Sequence, residues 1–93
     1  MTPNKQKTTP GFRIRSQFVS ASGLPSGLTT RSAVEHYIMD VTSELRSLRV
    51  SWRSYSQQSQ PTSADNLRFL THESKLEILR DQALAILKEF GSD

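Results

Sequence analysis

Between residues 32 and 56 the apolar side chains recur at Val34, Tyr37, Ile38, Val41, Leu45, Leu48, Trp52 and Tyr55. At 100° per residue these eight positions share an arc of about 100°, the pattern of a helix with one buried face. All but Tyr37 also follow alternating steps of four and three, a heptad seam that calls for a partner helix. Ser32-Ala33-Val34-Glu35 fits a capping box, Ser32 accepting from the third helical amide and Glu35 reaching back to the cap. The helix is therefore expected over about 33–56. The polar run Ser56-Gln57-Gln58-Ser59-Gln60 and then Pro61 end it.

A second helical stretch follows the linker at 57–63. Leu76, Leu79, Ala83, Ile86, Leu87 and Phe90 share one face, and Gly91 stands where a left-handed C-terminal cap is wanted. Upstream, Leu67 and Leu70 point well away from that face if one helix runs back unbroken, and Thr71 is a good cap residue ahead of His72 and Glu73. The pattern predicts a short helical turn at 64–70 and a kink or restart near Thr71. If the helix is continuous instead, Leu67 and Ile78 create a second apolar strip on its far side. Either geometry leaves apolar surface in need of a partner.

Residues 1–31 read as an arm. They hold three of the four prolines and three of the four glycines, which disfavour regular helix. Within the arm, Phe12-Arg13-Ile14-Arg15-Ser16-Gln17-Phe18 alternates apolar and polar side chains. With no second strand to pair with, the segment is expected to lay Phe12, Ile14 and Phe18 on another surface, the chain's own or a partner's, or else to remain a mobile tail.

The expected fold is all-α: an antiparallel helical hairpin with an extended N-terminal arm. Two helices of roughly 36 and 29 Å make a small two-layer contact. Such a hairpin needs a third layer, supplied by the arm, by a second copy in a four-helix bundle, or by a different protein. Trp52 and Tyr55 near the tip of the first helix are large for a two-helix contact and favour dimerisation or a partner. The interface residues so expected are Val34, Ile38, Val41, Leu45, Leu48, Trp52 and Tyr55 on the first helix and Leu76, Leu79, Ile86 and Phe90 on the second.

Composition narrows the chemistry. A chain of 93 residues has room for one small domain. The absence of cysteine removes disulfides, thiolate zinc sites, iron–sulfur clusters and a cysteine nucleophile. His36 and Asp40 stand one turn apart like half of a metal site, but both lie off the apolar face, where surface side chains are the commoner reading. His72-Glu73-Ser74-Lys75-Leu76 opens like a zinc-protease helix and ends in Leu where the second ligand is required. There is neither a Gly-x-Ser-x-Gly turn nor a glycine-rich phosphate loop. No catalytic residue, cofactor or metal is expected.

Charge is uneven. The net +3 arises before residue 35, where Lys5, Lys7, Arg13, Arg15 and Arg31 meet no acid. Arg46, Arg49 and Arg53 line one flank of the first helix, so Lys5, Lys7, Arg13, Arg15 and these three arginines are candidate phosphate contacts for RNA or DNA. The competing reading is that acids in the first half of that helix and arginines in the second oppose its dipole. The basic, acid-free, Ser/Thr-rich first third also has the composition of an organelle transit segment, although its prolines and glycines interrupt the usual amphipathic helix. Otherwise a soluble, intracellular chain is expected, with no apolar run long enough to span a membrane.

The functional expectation is a non-enzymatic helical interaction module that self-associates or docks on a larger assembly, with the arm as a second contact. The alternative is a nucleic-acid-binding helical dimer that uses the basic arm and the arginine flank.

Overall fold

The computed structural model describes residues 11–18 and 23–90. Lys5, Lys7 and the cap expected at Gly91 lie outside the described residues. Two helices, α1 (Arg31–Gln58) and α2 (Ser63–Phe90), pack against each other as a hairpin. Each has 28 residues, about 42 Å at the α-helical rise. No helix among the described residues is long and apolar enough to cross a membrane.

The start of α1 differs from the capping-box expectation. Thr30 is the cap: its backbone is extended, its carbonyl accepts from the Val34 amide at 3.1 Å and its Oγ1 accepts from the Ala33 amide at 3.1 Å. Ser32 lies exposed inside the first turn, and Glu35 pairs with Arg31 at 3.4 Å, one helical turn back. The Thr30 hydroxyl reaches the orphan amide two positions before Ser32 would have done so. At the other end the Ser59 amide donates to the Tyr55 carbonyl at 2.9 Å, and Pro61 follows.

The break expected near Thr71 does not occur: α2 is continuous from Ser63. Its buried positions are Asp65, Phe69, His72, Leu76, Leu79 and Ala83. These alternate in steps of four and three, and Ile86 and Phe90 carry the same register to the end. Two of the inward positions, Asp65 and His72, are polar, so the seam leaves no continuous apolar pattern in the first half of α2. Leu67, Leu70 and Ile78 consequently face outward, at 67%, 54% and 56% exposure. They form the second apolar strip that a continuous helix requires.

The chain's own arm provides a third layer. Phe12 and Phe18 are buried in one cluster with Val41, Leu45, Leu48, Phe69, Leu76 and Leu79. Ile14, Leu24, Tyr37, Trp52 and Tyr55 pack around it. Near the hairpin loop, the Phe12 ring meets Trp52 edge-on at 4.9 Å and Tyr55 at 5.4 Å, while Trp52 stacks on Phe69 at 4.7 Å. Phe18 meets Tyr37 edge-on at 5.8 Å further along α1. The bulk of Trp52 and Tyr55 is thus matched within a single chain, by Phe69 from α2 and Phe12 from the arm.

Candidate functional site

The arm is fastened at one carboxylate. Thr62-Ser63-Ala64-Asp65 opens α2 as a capping box: Thr62 Oγ1 accepts from the Asp65 amide at 3.1 Å, and Asp65 Oδ2 accepts from the Thr62 amide at 3.0 Å. The same Oδ2 accepts from the Tyr55 hydroxyl at 2.8 Å. Oδ1 accepts from the Phe12 amide at 3.0 Å and from Arg68 Nη1 at 3.1 Å, and Arg68 Nη1 also donates to the Phe12 carbonyl at 2.9 Å. Asp65 is only 2% exposed, so these donors replace the water it has lost. The Thr62 amide and then the Tyr55 hydroxyl hold its carboxyl well below the usual carboxylate range, against the opposing effect of burial. Donating to a carboxylate raises the Tyr55 phenol in turn.

Gly11 is needed for this approach. A Cβ at position 11 would stand 2.6 Å from Asp65 Oδ1. Glycine lets the arm backbone close onto the carboxylate, whereas a Cβ there would push it away.

Two buried polar groups lie outside this network. His72 occupies a seam position with its Nε2 unpartnered, and burial, then the charge of Lys75, pushes it below the ordinary histidine range. A polar cavity of about 250 Å³ lies between His72, the arm at 12–15 and Glu44, Ser47 and Ser51 of α1. The Tyr37 hydroxyl is likewise buried without a partner, and burial raises its phenol.

The structure divides the predicted basic surface in two. Glu44, Ser47, Leu48 and Ser51 of α1 share a cavity with Arg13 and Arg15 and therefore face the arm. Arg46, Arg49 and Arg53 lie on the opposite side of α1, by the 100° step of the helix. Arg49 crosses to α2 there, with Nε 2.8 Å from Glu73 and Nη2 2.8 Å from Glu77. Arg31 pairs with Glu35. Arg13, Arg15, Arg46 and Arg53 have no acidic partner within ion-pair distance among the described residues.

Charge is also segregated along the hairpin. The half nearest the loop, residues 11–17 and 46–70, carries Arg13, Arg15, Arg46, Arg49, Arg53 and Arg68 against one acid, Asp65. Residues 23–45 and 71–90 carry seven acids against four Lys and Arg. Arg68 was absent from the sequence-derived candidates. Its signal was the spacing Asp65-x-x-Arg68, which places both groups on one side of α2 beside the arm.

The expected interface residues divide similarly. Val34, Val41, Leu45, Leu48, Leu76 and Leu79 are buried inside the single chain. Ile38, Trp52, Tyr55, Ile86 and Phe90 are half-buried. Phe12 and Phe18 are buried on the chain's own helices, with Ile14 half-buried beside them. The most exposed large apolar side chains on α2 are instead Leu67, Leu70 and Ile78, with Leu84 less so, and an open groove of about 620 Å³ runs along Leu70, Ser74 and Ile78. His36 and Asp40 are exposed on α1, and no cluster of three metal-ligating side chains forms among the described residues. No family model, curated protein or solved structure matches the chain.

Proposed function

We propose that the protein is a non-enzymatic helical interaction module whose docking face is the outer strip of α2, and that the strip receives a second copy of the same chain. The supporting observation is the outward row of Leu67, Leu70 and Ile78 on a helix whose inner seam is already filled. Such a row is costly to leave in water and is a common feature of association surfaces. Leu70 and Ile78 lie four residues on either side of Ser74. An antiparallel copy therefore sets each Leu70 against the other chain's Ile78, with two small serines at the crossing, as a two-fold contact requires. Light scattering behind a sizing column tests this. The expected mass is twice the 10.5 kDa chain, falling to one chain in Leu70→Glu/Ile78→Glu with helicity unchanged. A wild-type monomer across the micromolar range would overturn it.

A second reading, polyanion binding at the loop half, is favoured by the concentration of arginines there and by the four that have no acidic partner among the described residues. Association with nucleic acid that weakens steeply with added salt is its expected behaviour.

A further inference from the structure

We propose that the cleft between residues 11–15 and the first turns of α2, lined by Arg13, Arg15 and Arg68, is a binding site for the phosphodiester backbone of a single-stranded nucleic acid. The inference rests on the polyanion reading and adds a location and a mode of contact. The cleft has a volume of about 480 Å³, and Gly11, Phe12 and Ile14 complete its walls.

Three observations carry it. Burial alternates along the arm, Phe12 in, Arg13 out, Ile14 partly in and Arg15 out. Arg13 and Arg15 therefore project from one side, about 7 Å apart for an extended backbone. That spacing suits neighbouring phosphates on one strand. Arg68 is the fixed member of the set: Nη1 is held by the Phe12 carbonyl and Asp65 Oδ1, while the side chain remains 48% exposed. Its other guanidinium donors are thus positioned for an acceptor in the cleft, the planar recognition for which arginine is suited. Asp65, beside Arg68, is buried with both oxygens occupied, so it presents little free acceptor surface to an incoming anion. Glu44 lies on the α1 side of Arg13 and Arg15, in the neighbouring cavity and beyond ion-pair distance of both.

Anchoring also distinguishes this site from a basic tail. Phe12 and Asp65 hold the arm on the helices, so Arg13 and Arg15 are placed before any ligand arrives, and less ordering entropy opposes binding. The arginine flank at 46, 49 and 53 faces away and is not part of the cleft.

Fluorescence anisotropy with labelled oligo(dT) and oligo(U) tests the site on the full chain. The expected result for Arg13→Gln/Arg15→Gln is an affinity loss of about tenfold or more and a salt dependence shallower by about two counterions, on both probes. Helicity should be unchanged, because both side chains are exposed. Arg68→Lys retains the charge and loses the fork, and should weaken binding to a lesser degree. If Arg46→Gln/Arg53→Gln abolishes binding while Arg13→Gln/Arg15→Gln leaves it intact, the cleft is overturned and the polyanion reading stands. If the wild-type chain binds neither probe at low salt, both are overturned.

Discussion

The main-chain amide of Phe12 donates to the Asp65 carboxylate at 3.0 Å across a sequence separation of 53 residues. Arg68 returns the contact by donating to the Phe12 carbonyl. Both polar groups of one arm residue are thereby satisfied by the first turns of α2, while its ring fills the space between Trp52, Tyr55 and Phe69. Backbone pairing and aromatic packing at the same residue make the arm part of the folded unit. The surfaces left outward include the basic side of the arm and the apolar side of α2.

Substitution of Gly11 by Ala should loosen this attachment. The new Cβ meets a carboxylate oxygen held by several donors, and forced overpacking of this kind costs about 2 kcal/mol. Gly23→Ala meets nothing within 4 Å and should be close to neutral. Paired thermal melts compare the two variants. Equal melting temperatures would contradict the close approach at Gly11.

Asp65 should make the fold acid-sensitive in a defined direction. Its carboxyl titrates lower in the folded chain than the unfolded value near 3.9. The unfolded chain therefore takes the proton first. The stabilisation is fully present above that value and is lost as pH falls below it toward the lowered folded value. Asp65→Asn should lower stability at neutral pH and flatten this acid limb, as followed by urea denaturation at a series of pH values. An unchanged acid limb would show that another group sets it.

His72 contributes in the same sense over a higher range. Burial lowers its folded value beneath 6.5, so the unfolded chain protonates first and stability declines as pH drops below 6.5. His72→Leu restores an apolar residue to the seam and removes the unpartnered Nε2. It should stabilise the chain by about 1 kcal/mol at neutral pH, with a larger gain toward pH 5. Loss of stability would mean that His72 has a polar partner in the cavity beside Ser47 and Ser51.

The two N-terminal cap candidates separate cleanly. Thr30→Ala should cost about 1 kcal/mol because the Ala33 amide loses its acceptor, whereas Ser32→Ala should be nearly neutral or slightly favourable. Thermal denaturation of the two variants compares them. The reverse order would place the cap at Ser32.

The α1 face was legible because every seam position there is apolar, from Val34 to Tyr55. The first half of α2 was not, because Asp65 and His72 take inward positions where a hydrophobic pattern expects Leu or Ile. The overlooked signal was Thr62-x-x-Asp65, a capping box that starts the four-three alternation and runs unbroken to Phe90. In the arm, the inward residues Phe12, Ile14 and Phe18 were readable from their alternation, but not the surface that receives them. That choice depends on a hydrogen bond between positions far apart in sequence and on the missing Cβ of Gly11, neither of which leaves a periodic trace. The basic cleft was half-visible: Arg13 and Arg15 were candidates, while Arg68 became one only when the arm was brought against α2.

Hydrogen exchange at the Phe12 amide, read by nuclear magnetic resonance on the full chain, tests most directly that the arm belongs to the folded unit. The structure predicts protection comparable to the amides of the helical core, and its loss in Asp65→Ala, which removes the acceptor, while α1 and α2 stay protected. Exchange of the wild-type Phe12 amide at the rate of an unstructured peptide would contradict it.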